Sequence, residues 1–202
     1  MLEPINHHKR PEKDRYYLNI AKEVSERSRC FRSHHGVIIV KDDQIVATGY
    51  NGAPRKTKDC VERGHCIRDI MKIPSGQRYE ICRTVHGEAN CIINAARAGV
   101  SVLNGDMYMF SYKVSSNVKE PIDSLPCFIC KKMIINAGIN RMIINMADGS
   151  IKIFHIEDWV KEWQTQDMID DKAVYNAMHQ GPTQEDVNTF LQKINHEQDE
   201  YE

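Results

Sequence analysis

The sequence predicts an α/β protein with one core: a mixed sheet with helices on both faces, an antiparallel hairpin at its front and parallel strands behind. Three observations lead there. The chain has 202 residues, enough for one well-buried domain with an extension and too few for two average domains. Near the N-terminus a helical apolar period gives way to two short β-branched runs separated by a turn. Further on, a strand, a helix and a strand follow one another, which implies a parallel crossover.

Tyr16, Tyr17, Ile20, Ala21 and Val24 recur at helical spacing and predict an amphipathic helix within residues 11–29. Gly36–Val40 and Gln44–Tyr50 flank Lys41-Asp42-Asp43 in the pattern of a hairpin. Residues 51–82 are rich in charge and turn formers without a sustained period, and read as a long loop with one short helix; loops this long are usually functional or tied down. A helix then starts at His86 and stops near Gly99, a C-cap glycine. Asp106–Phe110 is a predicted strand, Ser111–Leu125 a polar connection, Cys127–Ala137 a helix ending at Gly138, and Asn140–Asn145 a further strand. Beyond Asp148 the signals weaken. IEDWVKEW is compatible with helix, and PTQEDVNTFLQKI has a capping-box-like Thr183 to Asp186 with Val187, Phe190, Leu191 and Ile194 on one stripe. That stripe needs a surface, either its own core or a neighbouring subunit. The expected organisation is a domain over residues 1–150 and an acidic, partly helical extension over residues 151–202.

No apolar run approaches the roughly 20 residues that span a bilayer, and the charged first residues do not resemble a signal peptide. A cytoplasmic protein is expected, with no membrane partner, and there the seven cysteines are metal ligands, nucleophiles or core residues rather than disulfides. The formal net charge of −1 hides an asymmetry: residues 151–202 carry 4 Lys/Arg against 12 Asp/Glu, whereas residues 1–150 carry 23 against 16. A basic body suits a phosphate-bearing ligand, or is a solvated face balanced by its own tail. Neither part resembles a strongly basic nucleic-acid domain.

The chemistry gathers in two short motifs. His86-Gly87-Glu88 opens a helix whose apolar spacing is otherwise that of a core helix. Alone, Glu88 could simply favour the positive helix N-terminus and His86 be a satisfied core histidine. Downstream, Pro126 precedes Cys127 and Cys130, whose i, i+3 spacing puts both sulfurs on one face of a helix's first turn, where the helix dipole lowers thiol pKa. That pair alone could be a redox couple, two core residues or half a metal site. Together, one imidazole and two thiolates make three ligands for tetrahedral zinc and leave the fourth position open, the arrangement of catalytic zinc. Such an ion lowers the pKa of water towards roughly 7. Glu88, two residues from a ligand, can then move protons without binding metal. Gly87 either lets a backbone group approach a substrate base or merely eases the helix start.

With His86-x-Glu88 and Pro126-Cys127-x-x-Cys130 in order, the chain resembles the deoxycytidylate deaminase family of the cytidine deaminase superfamily. The resemblance covers roughly residues 14–147. It includes Ser28–Cys30, Gly36–Arg55 with its Gly49-Tyr50-Asn51-Gly52 string, Ile73–Cys82 and Ile134–Ile139. It implies a three-layer α/β/α sandwich on a five-stranded sheet, catalytic zinc, deamination of dCMP to dUMP that feeds thymidylate synthesis, and a homo-oligomer, commonly a hexamer, regulated by dCTP and dTTP. It also places the Gly49–Gly52 loop beside the active site, which makes Asn51 a candidate for the sugar hydroxyl. Arg55 is a candidate for phosphate or a solvated loop arginine. Two readings stay beside it: a deaminase of another cytosine or purine compound, and a non-catalytic zinc scaffold.

Two features depart from the family's pattern. It usually has alanine at the Gly87 position, and its central strand runs almost directly into Pro-Cys, whereas here Tyr112–Leu125 intervene. An insertion at that place would be a lid, a subunit contact or a change in substrate preference. Of the remaining cysteines, Cys91 belongs to the core of its helix. Cys30, Cys60, Cys66 and Cys82 sit at the end of the first helix and along the long loop, where a closed structural zinc site would replace missing apolar burial, with His65 as a substitute ligand. The alternative is four separate reduced thiols. Related deaminases carry a second zinc in this region, so the resemblance favours the metal.

Overall fold

The computed structural model describes residues 10–115 and 118–165, with the isolated positions 185, 188 and 189. The stripe of the PTQEDVNTFLQKI segment lies outside the described residues.

The predicted layers are present. Helix α1 (Lys13–Ser25) buries Tyr17, Leu18 and Ala21 against one face of the sheet, where Ile38, Val40, Tyr108, Phe110 and Ile143 receive them. Helix α3 (Gly87–Arg97) and helix α4 (Phe128–Asn136) cover the other face, packing Cys91, Ala95, Cys130 and Ile134 on Val37, Ile39, Met107, Met109, Met142 and Ile144. Both cores follow from the period of two on strands β1 (Ser33–Lys41) and β3 (Asp106–Ser115), whose alternate side chains supply the two faces. Two further helices are the short α2 (Ile67–Ile70) within the long loop and α5 (Ile156–Thr165).

Strand β2 (Gln44–Tyr50) pairs antiparallel with β1 as the predicted hairpin, and β1 pairs antiparallel with β3. Strand β3 runs parallel to β5 (Arg141–Asn145) across the α4 crossover. Beyond β5 lies β6 (Ile151–His155), giving the order β2-β1-β3-β5-β6. Thus the back of the sheet holds the expected parallel pair, β3 and β5. β6 returns antiparallel because the turn after Asn145 is far too short for a crossover.

Two expectations change. The boundary placed after Ser150 cuts through the fold: β6 completes the sheet, and Ile156 and Trp159 of α5 enter the main core. The polar connection Ser111–Leu125 is mostly strand, since β3 continues to Ser115 and β4 (Val118–Pro121) folds back along it. Its alternation is masked in the sequence because all of β4 is exposed and polar residues occupy both sides.

Candidate active site

His86 and Cys127 are the N-cap residues of α3 and α4, and neither side chain caps its own helix. Both are instead turned into the space between the two helix starts. The His86 Nδ1 lies 3.3 Å from Cys127 Sγ and 3.4 Å from Cys130 Sγ, and all three donor atoms fall within 4.8 Å of one another. Tetrahedral zinc with ordinary Zn–N and Zn–S bonds separates a nitrogen and a sulfur ligand by about 3.6 Å, so the triad fits such an ion. Among the described residues it is the only group of three or more His, Cys, Asp or Glu side chains this close. The thiols are already polarised. A hydrogen bond from Cys130, with His86 beside it, brings Cys127 down to about 4, while the same bond and burial push Cys130 up, so this pair keeps one proton for a metal to displace.

Glu88, in the first turn of α3, is 2% exposed. Burial pushes its carboxyl above the usual carboxylate range. It lines a cavity of about 420 Å³ together with His86, Cys127, His35, Asn51, Met109 and Tyr79. That volume suits a small organic ligand. The ring of Tyr79 stands edge-on to His86 at 4.7 Å between centroids, and Arg68 covers the Tyr79 face at 5.0 Å.

Sequence comparison now decides the family. The profile described as "Cytidine and deoxycytidylate deaminase zinc-binding region" matches residues 11–146. The chain belongs to that family. A deoxycytidylate deaminase of Schizosaccharomyces pombe is 29% identical over 66% of this chain and 37% of its own length. A deoxycytidylate deaminase of Mycobacterium phage D29 is 31% identical over 66% of this chain and 94% of its own length. This chain therefore spans well under half of the fungal relative. A solved dCMP deaminase from the cyanophage S-TIM5, in complex with dCMP and dUMP, is 23% identical, with a TM-score of 0.49 over 78% of this chain and 94% of that one.

Within this deaminase fold the Gly49–Gly52 string is a brace. Backbone bonds between Gly52 and Val85, at 2.8 and 3.2 Å, fix the chain just before His86, and Asn90 Nδ2 donates to Tyr50 O at 2.8 Å. Asn51 lines the cavity but is only 3% exposed, and its amide is engaged: Oδ1 accepts from the His35 N–H and Nδ2 donates to Ser33 O, both at 2.8 Å. One lone pair and one N–H of that amide are left for a ligand. Arg55 is not at this cavity. Its guanidinium donates to Asn94 Oδ1 at 2.6 Å and lines a separate depression with Arg27, Arg29 and Lys56. Gly87 is tight, since a Cβ there would lie 3.1 Å from Val37 Cγ2 and 3.4 Å from His35 O.

Cys30, Cys60, Cys66 and Cys82 do share the wall of the cavity that Glu88 lines. Burial, then the neighbouring thiols of Cys30, Cys66 and Cys82, push Cys60 up to about 12. The set is gathered but open. No three of these sulfurs lie within 4.8 Å of one another; Cys30 Sγ accepts from the Arg32 N–H at 3.5 Å, and Cys82 Sγ is 3.2 Å from Thr84 Oγ1. Cys91 is fully buried in the core, as expected.

Sequence reasoning missed His35, Ser111, Arg68 and Tyr79. His35 holds Ser111 Oγ at 2.7 Å through Nδ1 and Ser33 Oγ at 2.8 Å through Nε2, and burial brings it down to about 4, so it is neutral near pH 7. Its one sequence signal is alternation: it precedes Val37 by two on a strand whose next cavity-side residues are core. Arg68 is 6% exposed, donates to Pro74 O at 2.9 Å and leaves its Nε without a partner. A four-residue helix inside a long loop gives no periodicity by which to find it.

Proposed function

We propose that this chain is a zinc-dependent dCMP deaminase that hydrolyses dCMP to dUMP and ammonia and so supplies dUMP for thymidylate synthesis. The observation that carries the reading is Glu88: a buried carboxyl beside three ligands that leave a tetrahedral ion one open position. Family membership and the named activity of the fungal and phage relatives support the same reaction. A zinc ion held by His86, Cys127 and Cys130 would supply acidified water at neutral pH. Glu88 would accept a proton from the attacking water and deliver it to pyrimidine N3, which makes C4 electrophilic towards the water oxygen. Glu88 then carries the remaining hydroxyl proton to the exocyclic amine; the C4–N4 bond breaks and ammonia leaves. Burial suits Glu88 to this task, because a carboxyl with a raised pKa holds a proton long enough to pass it on.

The remaining roles follow the placement of the side chains. Asn51 offers its spare amide valences to the sugar, and Gly87 keeps the α3 start slim beside the base. Arg32 and Arg68 in the cavity wall favour an anionic substrate. A second, structural zinc would draw the open set of Cys30, Cys60, Cys66 and Cys82 together. The depression of about 270 Å³ with Arg27, Arg29, Arg55 and Lys56 suits a nucleotide effector such as dCTP or dTTP. The chain works as a homo-oligomer, a hexamer by family resemblance, in the cytoplasm; no helix among the described residues is long and apolar enough to cross a membrane.

Ammonia release from dCMP, CMP, deoxycytidine, cytosine and purine nucleotides tests the reading. The highest kcat/KM is expected for dCMP. Comparable values for dCMP and deoxycytidine overturn the monophosphate assignment, a purine preference overturns the substrate class, and release from none of them leaves a zinc scaffold, for which Glu88 has no use.

A further inference from the structure

We propose that Lys113, on the inserted β3–β4 arm, binds the phosphate of the substrate and sets the preference for a nucleoside monophosphate over the nucleoside. The assignment rests on the deaminase reading above and deepens it. Alternation along β3 puts Met109, Ser111 and Lys113 in one row on the cavity side of the sheet, opposite the row Tyr108, Phe110 and Tyr112 that faces α1. Met109 and Lys113 both line the cavity, and Ser111 between them holds His35. Two residues beyond Ser111 is a step of about 7 Å along a strand. The row thus ends in an exposed cation on the wall of the same cavity that His86, Glu88 and Cys127 line.

Backbone hydrogen bonds anchor the described part of the arm on either side of that cation. The Val114 N–H donates to Arg32 O at 3.0 Å, the Ile122 N–H to Ser111 O at 3.1 Å, the Ser124 N–H to Asn145 O at 3.0 Å, and the Ala147 N–H to Asp123 Oδ1 at 2.8 Å. Its other lysine, Lys119, is spent on Glu26 at 2.5 Å. Lys113 is different. It faces Ser33 on β1 and Glu120 on β4, yet no carboxylate among the described residues lies within ion-pair distance of its ammonium. Arg32, beside it, is already paired with Asp69, and Arg68 is tied to Pro74 O. A phosphate entering here finds one uncommitted point charge and two partly committed guanidinium groups; a neutral nucleoside would leave them all unanswered.

Steady-state kinetics of Lys113→Met and Lys113→Arg with dCMP and with deoxycytidine test this. In Lys113→Met the KM for dCMP should rise about tenfold or more, the range of a hydrogen bond to a charged group, with kcat within about twofold. Its kcat/KM for deoxycytidine should be unchanged, Lys113→Arg should recover most of the loss, and salt should weaken dCMP binding less than in the wild type. Unchanged KM for dCMP, or equal losses on both substrates at unaltered Tm, overturns the assignment. The two readings fail differently: wild type inactive on dCMP defeats the deaminase reading, whereas wild type that prefers dCMP beside an unaffected Lys113→Met defeats only Lys113.

Discussion

Gly49 of β2 and Cys91 of α3 touch backbone to backbone: a Cβ on Gly49 would lie 2.3 Å from the Cys91 nitrogen and 2.5 Å from Gly87 O. This approach seats the start of α3, and with it His86 and Glu88, against the hairpin. Asn94 Nδ2, bonded to Thr48 O at 2.8 Å, secures the next turn. Gly49→Ala must push helix and strand apart, which costs about 1–3 kcal/mol or more. A Tm several degrees lower and reduced metal retention are expected; an unchanged melt would show that the contact yields without cost.

Glu88→Gln removes the proton carrier and leaves the three ligands in place. Turnover should fall by about 10² to 10⁴, the usual contribution of a positioned acid–base group, while zinc content stays normal. Near-normal ammonia release from a zinc-loaded variant would remove Glu88 from the mechanism.

His35 makes stability depend on pH. Unfolded, its imidazole takes up a proton near its ordinary value of 6.5, but folded it does so only at about 4. Between those values the unfolded chain binds more protons, so the contribution of His35 is complete above pH 6.5 and is lost as pH falls. Compared with His35→Gln, the wild type should lose about 3 kcal/mol of additional stability between pH 7.5 and 4. Denaturant midpoints of both proteins across that range measure it, and parallel curves would contradict the assignment.

The second metal is decided by metal analysis. Purified protein should hold about two zinc ions per chain, and Cys60→Ser about one, with lower stability and a higher KM because the loop carrying Asn51 slackens. One ion per chain, unchanged in Cys60→Ser, would make the four cysteines separate thiols.

Much of the centre could be read directly along the chain. His86, Glu88, Cys127 and Cys130 are legible because each ligand pair or ligand–acid pair is local, held at fixed spacing by one helix start, and because proline and the N-cap positions mark where those helices begin. The same holds for the α1 stripe, the front hairpin and the stops at Gly99 and Gly138, whose φ values of +68° and +69° are the left-handed conformation that glycine tolerates. Which of its two readings Arg55 follows is not legible in the sequence, for the opposite reason. Sequence proximity to Asn51 does not say which side of a loop faces the cavity, and four residues on, the chain has turned to Asn94.

What the sequence by itself determined is therefore the local chemistry: a His/Cys/Cys triad able to hold a metal ion with a carboxylate beside it, on helices over a mixed sheet. The tertiary structure alone decided what surrounds it. It brought His35 and Ser111 together from strands 76 residues apart, set Arg68 over Tyr79 and Tyr79 against His86, turned Ser111–Leu125 from a polar connection into a paired arm, and drew residues 151–165 into the core. These contacts join distant segments through sheet register and loop packing. Local periodicity carries no record of such pairings, since they arise only when the whole sheet has assembled.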